Sequence, residues 1–171
     1  MHNPVKLVSY GSGPGHEILG CLESFRDKVA VEATCIDRDT TALEYGRSLA
    51  AKKGVSGRIE YVQGNVLRTD NDVPRYHAAV ISGVLDYYSF ETAVSMLQMV
   101  GRQLEPNGTV LIANMRRHYL ASTMSILGNW SLIYREPEEV ETILAKSGYE
   151  EIKVWLEPEK VFCIGKARKP R

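Results

Sequence analysis

Apolar residues fall in short runs separated by amphipathic stretches. Val5–Tyr10, Val29–Ile36 (V-A-V-E-A-T-C-I), Ile59–Gln63, His77–Ile81, Thr109–Ala113, Ile152–Leu156 and Val161–Lys166 have the length and β-branched content of strands. Between them, apolar positions recur at helical spacing: Ile18, Leu19 and Leu22; Ala42, Tyr45, Leu49 and Ala50 over Thr41–Lys53; Val94, Leu97, Val100 and Leu104 over Glu91–Leu104; Val140, Ile143 and Leu144 over Glu136–Gly148. Gly54 and Gly148 stop two of these helices, and Pro137, Glu138 and Glu139 suit the first turn of the last one. Met96 and Met99 read as edge packing, Asp70–Arg75 as a polar loop and Pro106–Gly108 as a turn. Alternating strands and helices predict a parallel α/β sheet, and the short E-P-E-K link makes the last two strands an antiparallel pair.

The chain is organised around its first strand, which runs into G-S-G-P-G at Gly11, Gly13 and Gly15. Glycine tolerates positive φ and lets the backbone approach a ligand, while the following helix offers unpaired N–H groups. A dinucleotide turn counted from Gly11 needs glycine at position 16, where His16 stands. Asp37 ends the second strand, about two dozen positions on, where a βαβ unit puts an acid within reach of ribose hydroxyls. Asp39 or Thr40 suits the cap of the next helix better.

The G-x-G-x-G spacing resembles motif I of the class I S-adenosylmethionine-dependent methyltransferases. L-E-P-N-G-T-V-L-I resembles the turn and fifth strand of the same family. Ser9 departs from it, standing where an acid usually precedes the first glycine by two positions. The resemblance implies a doubly wound, seven-stranded, mostly parallel sheet with a C-terminal antiparallel hairpin. It also implies a cofactor site at Gly11, Ser12, Gly13, Gly15, Asp37, Arg38, Asn65, Val66, Ser82 and Gly83. Asp37 inherits the ribose hydroxyls. Asn65 stands where an acid accepts from the adenine amino group, and it reads equally as a turn residue. S-adenosylmethionine is the implied cofactor, and no metal is called for.

Residues 114–135 have poor periodicity and gather aromatic rings and cations. In this fold the segment after the fifth strand commonly supplies part of the acceptor pocket, so Arg116, Tyr119, Trp130, Tyr134 and Arg135 are candidate substrate-binding residues, joined by Tyr87, which with Asp86 and Tyr88 follows the fourth strand and would stand just beyond the reactive methyl. A helix packed on the sheet would also explain Met124, Ile126 and Leu127. Ser82-Gly83-Val84-Leu85 occupies the position of the N-P-P-Y type tetrapeptide of amino-methylating nucleic-acid enzymes, and no cysteine nucleophile stands there. Both features favour a small-molecule or lipid-like acceptor methylated on oxygen or nitrogen. No catalytic residue is assigned, because alignment and water exclusion carry most of such a transfer. Asp86, Tyr87 and His118 are the candidates for a base, and His77, at the far end of its strand, reads as structural.

With 171 residues, 44% hydrophobic and 25% charged, the chain fits a single domain spanning 1–171. Lys plus Arg and Asp plus Glu both total 21, a balance that argues against nucleic-acid partners. Cys21, Cys35 and Cys163 read as buried thiols in a reducing compartment. Without a membrane-spanning run or signal pattern, a cytoplasmic location is expected. Only Met1–Pro4 precede the first strand, whereas the family usually has cap helices there. The expectation is therefore a cleft more open than usual, compensated by a homodimer or a lost segment. An alternative function is a non-catalytic protein of this fold that binds the cofactor or its demethylated product as a regulatory or assembly module. A nucleotide-binding enzyme of another class, such as an NAD-dependent reductase, is disfavoured by His16 and the final hairpin.

Overall fold

The computed structural model describes residues 3–67, 76–119, 121, 126, 128 and 130–171. The polar loop expected at 70–75 and the positions 124 and 127 lie outside them. In chain order the elements are β1 (Val5–Tyr10), α1 (His16–Ser24), β2 (Val31–Asp37), α2 (Thr40–Lys52), β3 (Ile59–Gln63), β4 (Tyr76–Ser82), α3 (Phe90–Gln103), β5 (Leu104–Met115), α4 (Pro137–Lys146), β6 (Glu150–Leu156) and β7 (Phe162–Arg168). The strands form one 7-stranded sheet in the order β3-β2-β1-β4-β5-β7-β6. The first five are mutually parallel, and β7 runs antiparallel between β5 and β6. This is the doubly wound sheet with a C-terminal hairpin that the sequence implies.

Period-two alternation divides the core. Val5 and Leu7 of β1 join Ile18, Leu19, Leu22, Leu43 and Ala50 on one face, while Val8 and Tyr10 join Met96, Leu97, Val100, Ile143 and Leu144 on the other. A strand buried on both sides reads as a nearly continuous apolar run, which is why β1 is legible at once. His77 is structural, its Nδ1 accepting the backbone N–H of Lys6 at 3.0 Å.

Three expectations are corrected. Helix α2 buries Leu43, Gly46 and Ala50, and Tyr45 is 53% exposed. A Cβ at Gly46 would lie 2.5 Å from the Tyr61 ring and 2.6 Å from the Pro14 carbonyl oxygen, so the helix turns its smallest residue to the sheet; of the expected stripe Ala50 is buried, Ala42 and Leu49 are half-buried and Tyr45 faces out. In α3 the buried set is Ala93, Met96, Leu97, Val100 and Gln103; Met96 belongs to the core, and Leu104 already opens β5. The turn at Pro106–Gly108 sits inside β5. Tyr76 pairs with Leu104 and Ala78 with Thr109, so the residues between bulge out, with Asn107 at φ 61°.

Candidate active site

The carboxyl ends of β1, β2, β3 and β4 surround one cleft, which Gly11 of the glycine turn lines. Gly11, Gly13 and Gly15 all take left-handed φ, of 61°, 51° and 74°, a region glycine occupies without steric cost. A Cβ on Gly11 would lie 2.3 Å from Val84 Cγ2, and one on Gly15 2.7 Å from Cys35 Sγ, whereas in front of Gly13 there is open space. The turn is tied to β2: Gly11 and Ser12 donate their backbone N–H groups to the Ile36 carbonyl, and Gly13 donates to Asp37 Oδ2 at 2.7 Å. Asp37 Oδ1 accepts from the Asp39 amide, and Asp39 caps α2 through Thr41 and Ala42.

Beneath the turn, Ser9 is buried and donates to Glu17 Oε1 at 2.9 Å. The carboxylate nearest position 9 therefore comes from the first turn of α1. The Tyr61 hydroxyl supports the same loop by donating to the Pro14 carbonyl at 3.1 Å. Burial pushes the Cys35 thiol up to about 12, against a smaller lowering by its hydrogen bond with Ser12. A thiol held protonated in this way is a packing group.

The cleft has a volume of about 430 Å³. Its walls are Gly11 from the glycine turn, Asp37 and Arg38 from the end of β2, Gly64, Asn65 and Val66 after β3, and Gly83, Val84, Tyr87 and Tyr88 after β4. Of the expected cofactor positions, Ser12, Gly13, Gly15 and Ser82 are not among these walls, the first and third being buried behind them. Gly64 and Val84 also line the cleft, although Gly64 is legible in the sequence only as half of a Gly-Asn pair and Val84 only as the next apolar residue after Gly83. Asn65 Oδ1 accepts the Leu67 amide at 2.9 Å, closing a local turn.

The candidate acceptor residues divide into three groups. Tyr87 (54% exposed) and Trp130 (44%) meet at the mouth, where the indole Nε1–H donates to the Tyr87 hydroxyl oxygen at 2.8 Å. Tyr119 and Tyr134 flank His118, with ring centroids 6.3 and 6.0 Å away in edge-on contacts. His118 Nε2 and the Tyr134 hydroxyl are buried without a hydrogen-bond partner among the described residues.

The two arginines are both engaged within the chain. Arg116 Nε donates to Glu136 Oε2 at 2.5 Å. Arg135 is only 3% exposed, with Nη1 donating to the Leu85 carbonyl (2.7 Å) and Asn114 Oδ1 (2.6 Å) and Nη2 to the Tyr88 carbonyl (2.5 Å). A buried guanidinium must find acceptors, and main-chain carbonyls of the adjacent turn supply them. Asp86, one of the base candidates, is 2% exposed and accepts the Met115 amide, while its carbonyl accepts the Ile133 amide at 2.7 Å. Burial raises its carboxyl above the ordinary range, against the lowering effects of the Met115 amide and the Arg135 charge.

Among the described residues no helix is long and apolar enough to cross a membrane, and no His, Cys, Asp and Glu cluster suited to a metal ion occurs. The chain is 20% identical over 174 residues to YnbC of Escherichia coli (strain K12), a protein itself described as uncharacterized; the match covers 95% of this chain and 29% of YnbC. Mitomycin 7-O-methyltransferase MmcR has a similar structure, with a TM-score of 0.79 at 21% identity, over 97% of this chain and 49% of that one. Human N-acetylserotonin methyltransferase, solved in complex with S-adenosylmethionine, superposes with a TM-score of 0.77 at 14% identity, over 97% and 48%. The chain thus spans about half the length of these two solved structures and less of YnbC, and at such identities the likeness carries the fold. Residues 8–108, from the first strand through the bulge of β5, match the family described as "Methyltransferase domain", and the chain belongs to that family.

Proposed function

We propose that the cleft binds S-adenosylmethionine and that the chain transfers its methyl group to an oxygen or nitrogen of a small-molecule or lipid-like acceptor. The observation that carries this reading is Asp37, whose carboxylate stands at the tip of β2, bonded to the glycine turn, where a cleft of about 430 Å³ opens between the carboxyl ends of β1 and β4. Asp37 retains lone pairs for ribose hydroxyls beyond the two amides it serves, and the open space before Gly13 admits a ligand against the backbone. Asn65 has a second lone pair on Oδ1 for the adenine amino group, beside the apolar Val66 and Val84.

Bound in this cleft, the cofactor would supply an electrophilic methyl group on a sulfonium whose sulfur is a neutral thioether once the methyl has passed to the acceptor atom. The protein's part is to orient the reactants and exclude water. Tyr87 and Trp130 offer the acceptor an aromatic platform at the mouth. His118, whose Nε2 has no hydrogen-bond partner among the described residues, is a candidate to hold an acceptor proton, whereas the Asp86 carboxylate is engaged by the Met115 amide. Small-molecule acceptors also appear in the names of MmcR and N-acetylserotonin methyltransferase.

Calorimetric titration with S-adenosylmethionine and S-adenosylhomocysteine tests the reading: binding to the wild type that Asp37→Ala abolishes is expected, and no binding to the wild type refutes it. The alternative, a regulatory or assembly module that binds without turnover, is favoured by the burial of Arg135 on carbonyls of the chain and the pairing of Arg116 with Glu136. Methyl transfer from a radiolabelled donor to any acceptor in a broad panel eliminates it.

A further inference from the structure

We infer that Arg135 is a positioning residue that sets the wall of the cleft and the acceptor segment together; the inference rests on the cofactor reading above. The turn after β4 contributes Gly83, Val84, Tyr87 and Tyr88 to the cleft, and a Val84 methyl lies against the place where Gly11 lacks a side chain. Most of this turn is a single short helical turn, Leu85–Tyr87, whose own hydrogen bonds run only from Tyr87 and Tyr88 back to Val84 and Leu85. So short an element does not hold itself in place.

Its other hydrogen bonds lead to the end of β5 and to the segment 130–135. Arg135 grips the Leu85 and Tyr88 carbonyls, one at each end of the turn, and through Asn114 Oδ1 fixes both to the end of β5. Asp86 between them accepts amides from Met115 and Ile133, and Asn114 Nδ2 donates to the Ile133 carbonyl. At the surface Trp130 reaches the Tyr87 hydroxyl. The cleft wall and the 130–135 segment are thus held by one set of buried bonds centred on a guanidinium whose planar fork serves three acceptors at once. Lysine, with a single ammonium, cannot reproduce this geometry.

The test uses Arg135→Lys in a Trp155→Phe background, which leaves Trp130 as the sole tryptophan. Without ligand, acrylamide quenching of Trp130 is expected to rise relative to the Trp155→Phe parent. The dissociation constant for S-adenosylhomocysteine is expected to increase about ten-fold or more although the variant stays folded by circular dichroism. A folded variant with parental quenching and affinity overturns the inference. Should the variant fail to fold, hydrogen exchange on the wild type decides: slower exchange of the Met115 and Ile133 amides on adding S-adenosylhomocysteine supports the clamp, and protection confined to Gly11–Gly15 and Asn65 overturns it. A wild type that binds no S-adenosylhomocysteine removes the cofactor reading and this inference with it, an outcome distinct from equal binding by parent and variant.

Discussion

Gly13 donates its backbone N–H to Asp37 Oδ2 at 2.7 Å, so the glycine turn and the acid at the tip of the second strand are one bonded unit. The same carboxylate accepts the Asp39 amide, and Asp39 caps α2. Asp37 therefore has a structural role besides any ligand contact. Asp37→Ala is expected to lose about 2–4 kcal/mol of stability, since two amide donors lose a charged acceptor. Asp37→Asn, which keeps one acceptor oxygen, should lose about half as much. Urea denaturation of the two variants measures the difference.

Gly13 and Gly15 separate binding from folding. Both have left-handed φ, but a Cβ on Gly15 meets the Cys35 thiol at 2.7 Å and one on Gly13 meets nothing. Gly15→Ala should destabilise by about 2–4 kcal/mol, combining backbone strain with overpacking. Gly13→Ala should cost about 1–2 kcal/mol of backbone strain, and its main effect should be weaker S-adenosylhomocysteine binding because the new methyl enters the open space. Thermal unfolding and calorimetry on the pair check this division.

Asp86 predicts a pH dependence of fixed sign. Its carboxyl is raised from the ordinary 3.8 by burial, so the folded chain keeps this proton to higher pH than the unfolded chain does. As pH rises from 3.8 through the raised folded value, the unfolded state deprotonates first and the contribution of this group to stability falls. Asp86→Asn retains an oxygen for the Met115 amide and removes the titration. Its stability relative to wild type should therefore be more favourable at pH 7 than at pH 3.5, as measured by urea midpoints at both values.

Cysteine labelling tests the packing under the turn. Cys35 and Cys163 are buried, with thiols pushed up to about 12 and about 11 chiefly by burial, while Cys21 is half-buried. In the native protein at pH 8, a maleimide should modify Cys21 first and reach the other two only with denaturant. Rapid native labelling of Cys35 would mean that the loop over it opens. Peptide mass spectrometry distinguishes the sites.

Most of the fold is legible along the chain because β1 and β4, buried on both faces, read as apolar runs and the helices between them carry clear stops. Helix α4 is the plainest case, with Pro137 at its first position and Gly148 at φ 85° just beyond its end. Helix α2 is the counterexample. Its buried face is set by Gly46, a residue without an apolar side chain to contribute to any stripe, because only a glycine clears Tyr61 and Pro14. The turn residues Pro106–Gly108 were also legible, but not the bulge they make inside β5, since pairing with Tyr76 on one side and Ala78 on the other is a relation between strands.

For the site, the sequence by itself determined what the backbone must do: glycines at three positions where left-handed φ is needed, and an acid one βαβ unit later. Those are local requirements, and local residue types satisfy them. Only the tertiary structure decided which polar groups remain available. Arg116 and Arg135 look alike in the sequence as cations among aromatic rings, yet one ends on Glu136 and the other is buried on the carbonyls of residues about fifty positions away. Burial and partner choice depend on which segments the sheet order brings together, and a buried charge takes whatever acceptors that order supplies.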